Sequence, residues 1–349
     1  MNYYISYGIL AASTFFSCAQ ELPRKAQKYL KHTYEEKVSF DARENVLSDK
    51  KITRKGLLIV NPRATATVLI CHGFMCDKFD INFLRLMFKD YNCMTFDFRA
   101  HGEDSEGQCC TFGRDEAYDV IAAAQFIKNH PVIKNKPLFV YGFSMGAVAS
   151  ILAQAQDHTL FAGMVLDCPF DSTDKLLERG ISHLKISIFG YEMAIPGSSW
   201  LKSYAYSPYI QSLLKAILKT ISKMDATQVN TCICPVYPEE AVKYVTVPCF
   251  IIGCVKDDKA TEEAVMSVYN NSVSSYKRLW MTEGRRHFDS VFYRMDDYFH
   301  KVNKFIKNCL QKKLAGKKPE KITHDPGTLA PDKKLVESAE AAPLGKLLT

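Results

Sequence analysis

A glycine-flanked serine, placed where an apolar run meets a helix-like run, constrains this chain more than any other feature. Residues 137–146 read P-L-F-V-Y-G-F-S-M-G, and small or apolar residues follow. A strand that turns sharply into a helix would expose Ser144 at the turn, where a base can reach its hydroxyl. Gly142 and Gly146 would let the two chain segments pass closely. The pattern predicts that Ser144 is a nucleophile and that the backbone N–H of Met145 binds an oxyanion.

The rest of the chain between about residues 33 and 310 alternates short apolar runs with runs of helical period. This alternation predicts an α/β fold with a mostly parallel eight-stranded sheet and helices on both faces, in which the first two strands form an antiparallel hairpin. The predicted strands are Glu36–Phe40, Gly56–Val60, Thr67–Cys71, Cys93–Phe98, Leu138–Tyr141, Gly163–Asp167, Cys249–Gly253 and Tyr276–Met281. The predicted helices are Asp80–Lys89, Arg114–Asn129, Ser144–Gln156, Thr261–Asn270 and Ser290–Leu310.

Segment lengths predict how this domain is divided. About eighty residues separate the sixth and seventh strands, which is too many for a simple crossover. We therefore expect a helical cap inserted at about 171–245 into a domain that spans 33–310. Residues 311–349 are rich in Lys, Pro and Ala without any period, and are predicted to be a disordered tail.

The first 32 residues form an apolar segment and a linker. Residues 2–20 carry no charge, and four basic residues follow at 24, 25, 28 and 31. A secretory signal has its positive charge before the apolar run, whereas charge after it favours retention on the cytoplasmic side. A docked helix, a membrane-associated start facing the cytoplasm and a cleaved signal peptide all remain open.

A second glycine-containing turn is expected beside the nucleophile. The apolar run Thr67–Cys71 ends in His72-Gly73-Phe74. A strand that ends in His-Gly resembles the loop of α/β-hydrolases that donates the second oxyanion N–H, and this resemblance implies that the donor here is Phe74. We expect His72 to have a structural role.

A serine nucleophile of this kind works in a catalytic triad with a histidine base and an acid. The general base is expected late in the chain, since the order along the sequence in this fold is serine, acid, histidine. His287 lies in a loop after the last predicted strand and before the last helix. His300 falls within that helix, and His324 lies in the tail. His287 is therefore the predicted base.

The triad acid should be a carboxylate at the carboxyl end of another strand. The strand Cys249–Gly253 leads to Asp257 and Asp258, of which Asp257 fits better and Asp258 is the alternative. Asp171 is a weaker candidate, with a role in capping the first cap helix expected instead.

The placement of the cysteines bears on their redox state and on metal binding. Four of the twelve cysteines, at 71, 168, 249 and 254, lie in apolar runs typical of buried strands. The pairs at 109–110 and at 232 and 234 lack the doubled C-x-x-C spacing of a zinc site. Reduced thiols are therefore favoured, although one bridge remains open.

The net charge bears on nucleic-acid binding. A modest net charge of +7 and the lack of a nucleic-acid recognition motif argue against a protein that binds nucleic acid.

Residues 97–107, D-F-R-A-H-G-E-D-S-E-G, carry a family resemblance. They resemble the D-x-R-G-H-G-x-S-x-G stretch of the lysophospholipase and monoacylglycerol-lipase-like branch of the α/β-hydrolase superfamily, which often bears serine aminopeptidase names. Ala100 replaces a glycine of that stretch, and one extra residue precedes Ser105. The resemblance covers about 33–310 and implies two-step acyl transfer with no metal or organic cofactor.

The substrate is the least constrained prediction. An aromatic-rich cap and a basic amphipathic stretch at 210–223 suit an acyl pocket or a membrane surface, but both are also typical of ordinary packing. A small-molecule carboxylic ester or a lipid-like acyl substrate is the hypothesis. A peptidase or amidase with the same triad and a non-catalytic binding protein are the alternatives, and the oligomeric state stays open. The cap aromatics are Phe189, Tyr191, Trp200, Tyr204, Tyr206 and Tyr209.

Overall fold

The computed structural model of the chain describes residues 33–182, 185–188, 191–194, 229–284 and 286–315. The N-terminal segment, the basic stretch 210–223 and the tail beyond 315 lie outside the described residues. The cap aromatics lie outside them too, except Tyr191, of which only the backbone is described. Within the described part of the chain, no helix is both long and apolar enough to span a bilayer.

Eight strands form one mixed sheet, which confirms the predicted fold class. The strands are β1 (Tyr34–Asn45), β2 (Ser48–Val60), β3 (Thr67–Cys71), β4 (Asn92–Phe96), β5 (Leu138–Phe143), β6 (Gly163–Asp167), β9 (Cys249–Cys254) and β10 (Lys277–Thr282). Their order across the sheet is β1-β2-β4-β3-β5-β6-β9-β10. The β1–β2 and β2–β4 pairs are antiparallel, and every other pair of this sheet is parallel.

Burial explains why the central strands were easier to predict than the edge. Every residue of β3, β4, β5, β6 and β9 is buried, as expected where helices cover both faces of a parallel sheet. In β1 only Val38, Phe40 and Ala42 are buried, at every second position. Because polar residues alternate with the buried ones, the sequence predicted only the shorter strands Glu36–Phe40 and Gly56–Val60 of this hairpin.

The helices agree with prediction except at two places. Asp80–Lys89 was predicted to be a helix, but only a short 3₁₀ turn, Asn82–Leu86, is present. Its backbone forms i to i−3 bonds, as from Leu84 N–H to Ile81 O and from Met87 N–H to Leu84 O, both at 3.0 Å, which is the 3₁₀ pattern. The predicted helix Ser290–Leu310 is broken at Arg294 into two helices. The helices are α1 (Glu116–Asn129), α2 (Met145–Gln156), α3 (Thr173–Ser182), α4 (Pro238–Ala241), α5 (Glu262–Asn271), α6 (Ser290–Tyr293) and α7 (Met295–Ala315).

The described part of the predicted cap is not purely helical. It begins with helix α3, but a small antiparallel hairpin follows, formed by β7 (Lys185–Ile188) and β8 (Tyr191–Ala194). The alternating run K-I-S-I and the glycine at 190 are typical of a hairpin. The predicted helical cap therefore contains a hairpin as well as a helix in its described part.

A disulfide joins the end of the insertion to the sheet domain. Cys109 and Cys232 are bonded, with their Cα atoms 5.8 Å apart. Around them the two chain segments pair as strands do, since Cys110 N–H donates to Asn230 O at 2.8 Å and Cys232 N–H donates to Cys110 O at 2.8 Å. Reduced thiols were favoured from the sequence and one bridge was left open, and this disulfide is such a bridge. Because 123 residues separate the partners, no local spacing reveals the pair. The four cysteines predicted to lie in buried strands are all buried and free.

Candidate active site

Ser144 occupies a strained turn between β5 and α2. Its backbone has φ 51° and ψ −116°, a left-handed conformation that costs a non-glycine residue roughly 1–3 kcal/mol. The turn is held because Ser144 N–H donates to Asp167 O at the end of β6, at 2.8 Å. Its carbonyl accepts the Val148 N–H at 3.1 Å and so begins helix α2.

The two glycines of the motif are required by close backbone contacts. A Cβ at Gly142 would lie 2.6 Å from Gly146 O, and a Cβ at Gly146 would lie 2.3 Å from Cys71 O. Helix α2 therefore packs directly on the carboxyl end of β3. This contact brings the segment after β3 next to the start of α2.

The two predicted oxyanion donors lie on these two adjoining segments. Phe74 is the third residue after β3, and Met145 is the first residue of α2. Among the described residues, neither backbone N–H has a hydrogen-bond acceptor. Gly73 allows the approach, since a Cβ there would lie 2.8 Å from the Phe143 ring.

His72 supports this loop from the protein interior. It is fully buried, its Nδ1 donates to Gly73 O at 2.7 Å, and its Nε2 accepts the Phe98 N–H at 2.9 Å. Burial, reinforced by the neighbouring His101, keeps the pKa of His72 well below its ordinary value. The ring is therefore neutral and joins the loop to the residues that follow β4, as expected for a structural histidine.

A buried ion pair holds the other end of the loop. Lys78 Nζ lies 2.5 Å from Asp97 Oδ2, and the Lys78 N–H donates to Asp97 Oδ1 at 2.8 Å. The two side chains are 4% and 1% exposed, so breaking the pair would leave a buried charge without its partner. Gly102, with φ 58°, allows the chain to pass Asp97 closely.

His287 bridges the serine and an aspartate. Its Nε2 is 2.8 Å from Ser144 Oγ, and its Nδ1 is 2.6 Å from Asp257 Oδ2. With Asp257 ionised, Nδ1 carries the proton and Nε2 can accept from the serine hydroxyl. The three residues that the sequence singled out from distant segments are thus brought together in one hydrogen-bonded chain.

Asp257, and not Asp258, meets the histidine. Its side chain is 0% exposed, and Oδ1 accepts the N–H groups of Lys259 and Ala260 at 2.8 and 3.0 Å. Burial alone would raise the pKa of Asp257, but the bond to His287, its charge and the two N–H donors together lower the pKa below the ordinary value. Asp258 is exposed.

Asp171, the weaker acid candidate, lies against helix α3. Its two carboxylate oxygens accept N–H groups from Nη1 and Nη2 of Arg179, at 3.1 and 2.7 Å. The hydroxyl of Ser172 accepts the Lys175 N–H near the start of this helix. Asp171 is thus tied to the helix by an ion pair with Arg179, and no hydrogen bond joins it to His287.

Two features of the site escaped sequence reasoning. An aromatic wall lines the histidine, with the ring of Phe143 5.0 Å from that of His287 and 3.9 Å from that of Phe288. Phe83 and Phe292 extend the wall to the surface. In addition, the thiol of Cys168, the residue that follows β6, lies within 4.8 Å of a carboxylate oxygen of Asp257 and a ring nitrogen of His287. Its position directly after a buried strand, like that of Ser144, was the only signal in the sequence.

Comparison with known proteins identifies the fold. Residues 62–196 match the family model described as "Serine aminopeptidase, S33". The esterase Pf2001 of Pyrococcus furiosus is 22% identical, with a TM-score of 0.58 over 83% of this chain and 96% of the esterase. The chain has the α/β-hydrolase fold.

Other α/β hydrolases show the same likeness at lower identity. The α/β hydrolase GrgF from a Penicillium species is 18% identical, with a TM-score of 0.53 over 80% of this chain and 99% of GrgF. The peroxisomal α/β-hydrolase Lpx1 of Saccharomyces cerevisiae is 14% identical, with a TM-score of 0.52 over 84% of this chain and 94% of Lpx1. Among curated protein sequences, none matches significantly. The family match includes Ser144 and residues 72–78, the loop that carries the predicted oxyanion donor Phe74 and is here called the oxyanion loop, but it ends before Asp257 and His287.

Proposed function

We propose that this α/β hydrolase is a serine hydrolase that cleaves small carboxylic esters through an acyl-enzyme on Ser144. The observation that carries the proposal is the continuous hydrogen-bonded chain from Asp257 to His287 to Ser144, at 2.6 and 2.8 Å. A surface serine would not combine this chain with a strained elbow and two backbone donors.

Each group has a distinct task in the first half of the reaction. His287 Nε2 takes the hydroxyl proton as Ser144 Oγ attacks the ester carbonyl carbon. The N–H groups of Phe74 and Met145 hold the oxygen that becomes negative. Ionised Asp257 stabilises the imidazolium, which then protonates the leaving alcohol.

The second half releases the acid. Water, activated by His287, attacks the acyl-enzyme carbonyl through the same oxyanion site, and Ser144 recovers its proton as the acid leaves. All proton transfers run between the serine, the histidine and the substrate or water. Besides the substrate and water, the proposed mechanism uses side chains and backbone groups of this chain.

The aromatic wall favours an ester with an apolar acyl or alcohol group. Phe143 and Phe288 pack beside His287. An acyl or alcohol substituent of the ester that points towards this wall therefore contacts aromatic rings instead of water. An apolar group gains about 25 cal/mol for each Å² it buries there. Lipid-like acyl chains are included in this class.

A serine aminopeptidase or amidase is the second candidate, favoured by the description of the matching family model. The two reactions share the triad and differ in the leaving group, which is an amine instead of an alcohol. A direct comparison of the two substrate types separates them.

The test is turnover by the purified full-length protein. We expect hydrolysis of p-nitrophenyl esters, with kcat/KM that changes with acyl length, to exceed hydrolysis of aminoacyl p-nitroanilides. The matched control is Ser144→Ala, which should lose turnover of both. Faster cleavage of the anilides would replace the esterase proposal with the aminopeptidase, and equal turnover by Ser144→Ala would contradict both.

A further inference from the structure

A buried thiol completes a cluster of three donor atoms behind the proposed triad. Cys168 Sγ, a carboxylate oxygen of Asp257 and a ring nitrogen of His287 all lie within 4.8 Å of one another. Cys168 is 0% exposed, and it follows β6 with φ 51°. The mechanism above makes no use of this thiol.

Sulfur, nitrogen and oxygen donors together are the set that Zn²⁺ prefers, whereas Mg²⁺ and Ca²⁺ select oxygen alone. A thiolate and a carboxylate carry two negative charges, which a divalent cation neutralises, so the loaded cluster has no net charge to bury. The N–H groups of Lys259 and Ala260 already orient the carboxylate of Asp257, as second-layer contacts do at metal sites.

The separations suit an ion that enters and leaves. In a tetrahedral zinc site the sulfur and nitrogen ligands lie about 3.5 Å apart, given Zn–S and Zn–N distances of about 2.3 and 2.0 Å. The present limit of 4.8 Å therefore requires the sulfur and the nitrogen to approach by about 1.3 Å at most, while His287 Nδ1 and Asp257 Oδ2, now 2.6 Å apart, must separate by about 0.7 Å. His287 can supply both movements, because its side chain is 17% exposed and stands on a loop after β10.

We propose that Cys168, Asp257 and His287 form a binding site for Zn²⁺ or a similar thiophilic divalent cation, and that its occupation switches the hydrolase off. The inhibitory part rests on the proposed function, whereas the binding part does not.

The tautomer of His287 explains why binding and catalysis exclude each other. A metal on Nδ1 takes the lone pair there, so the single ring proton of the neutral imidazole resides on Nε2. Nε2 then donates to Ser144 Oγ and can no longer accept the hydroxyl proton. Asp257 also gives up its bond to Nδ1–H and binds the ion instead.

The exchange balances in protons and charge. The ion forms bonds to sulfur, nitrogen and oxygen and loses water ligands in return. The Cys168 thiol releases one proton to solvent, while the imidazole proton moves from Nδ1 to Nε2. One proton is therefore released for each ion bound, and no electron is transferred.

The first experiment measures inhibition. Full-length protein stripped with a chelator is assayed on a p-nitrophenyl ester at increasing free Zn²⁺, with Mg²⁺ in parallel. We expect Zn²⁺ to inhibit, EDTA to restore the rate, and Mg²⁺ to have no effect. In Cys168→Ser and Cys168→Ala, each compared with its own zinc-free rate, the inhibitory concentration should rise at least about tenfold, the lower range for disturbed metal sites. The matched control is Cys249→Ser, a buried thiol at the amino end of β9, which should leave inhibition unchanged.

The second experiment measures binding without turnover. Co²⁺ is added to Ser144→Ala, and the sulfur-to-cobalt charge-transfer absorption is recorded. The band should appear, and it should be lost when Cys168→Ser is added to Ser144→Ala but kept when Cys249→Ser is added. Zinc inhibition that is equal with and without the Cys168 thiol, or a cobalt band that survives its removal, would overturn the site. A band dependent on Cys168 in a protein that hydrolyses no ester would instead reject only the proposed function.

Discussion

The ends of β5 and β6 share a backbone turn but differ in chemistry. Ser144 follows β5 and Cys168 follows β6, and both residues have φ 51°. The N–H of each continues the ladder to the next strand, from Ser144 to Asp167 O and from Cys168 to Ile252 O, both at 2.8 Å. Two adjacent strands of one sheet are thus each followed by a residue with the same positive φ.

The surroundings of the two side chains differ, and this difference favours Ser144 as the proposed nucleophile. A helix begins directly after Ser144, and the hydroxyl meets His287 Nε2. Pro169 follows Cys168, and the thiol is buried behind Asp257. Burial, reinforced by the carboxylates of Asp167 and Asp257, raises the pKa of Cys168 well above its ordinary value, so the thiol stays protonated. In the proposed mechanism, contact with the histidine base, and not the intrinsic nucleophilicity of sulfur, selects Ser144 over Cys168.

The largest expected effect comes from truncating the two side chains separately. Ser144→Ala should lower kcat for ester hydrolysis by about 10⁶-fold, as loss of a triad serine does elsewhere. Cys168→Ala should keep kcat within about tenfold, since the thiol takes no part in bond making. Steady-state kinetics on one p-nitrophenyl ester measures both. A larger loss in Cys168→Ala than in Ser144→Ala would reverse the assignment.

The next effect separates the two neighbouring aspartates. Asp257→Asn should lower kcat by about 10⁴-fold, because an amide favours the wrong tautomer of His287. Asp258→Asn, an equally conservative change at an exposed position, should leave kcat as it is. Comparable losses in the two variants would show that the carboxylate of Asp257 does not orient the histidine.

A smaller effect is expected from the buried pair that holds the oxyanion loop. Lys78→Met should lower kcat by about tenfold or more, short of the 10²–10³ that removal of a donor costs, while KM changes little. The matched control is Lys55→Met, since Lys55 Nζ contacts Asp104 and Glu103 at the exposed side of the same cluster. Equal losses in the two variants would mean that the loop does not depend on Lys78.

The smallest effect concerns backbone strain and sharpens the comparison of the two turns. Ser144→Gly should raise the free energy of unfolding by about 1 kcal/mol, because glycine adopts the left-handed conformation without strain. Cys168→Gly should lower it, since loss of the fully buried sulfur leaves a cavity. Urea denaturation followed by fluorescence gives both values. The prediction fails if Ser144→Gly is less stable than the natural chain.

Prediction from sequence succeeded where local pattern and tertiary structure demand the same thing. The run into G-x-S-x-G and the fully apolar strands could be predicted because close backbone contacts and two-sided burial restrict residue type. The aspartate ambiguity could not be resolved, because both carboxylates follow the same strand and only packing shows which one faces His287.

Contacts between residues far apart in the sequence could not be predicted for a related reason. The bond between Cys109 and Cys232 and the position of Cys168 behind Asp257 arise from segments that meet only in the folded sheet. The helix predicted at Asp80–Lys89 failed because the backbone of this segment forms the i to i−3 bonds of a 3₁₀ turn, a difference that the periodicity of the sequence does not reveal.

The most direct measurement of the central claim is covalent labelling with a fluorophosphonate, followed by peptide mass spectrometry of the full-length protein. The account predicts one modified peptide, with the phosphonate on Ser144, and its loss in Ser144→Ala and strong reduction in Asp257→Asn. Modification at another residue, or labelling that persists without the Ser144 hydroxyl, would contradict it.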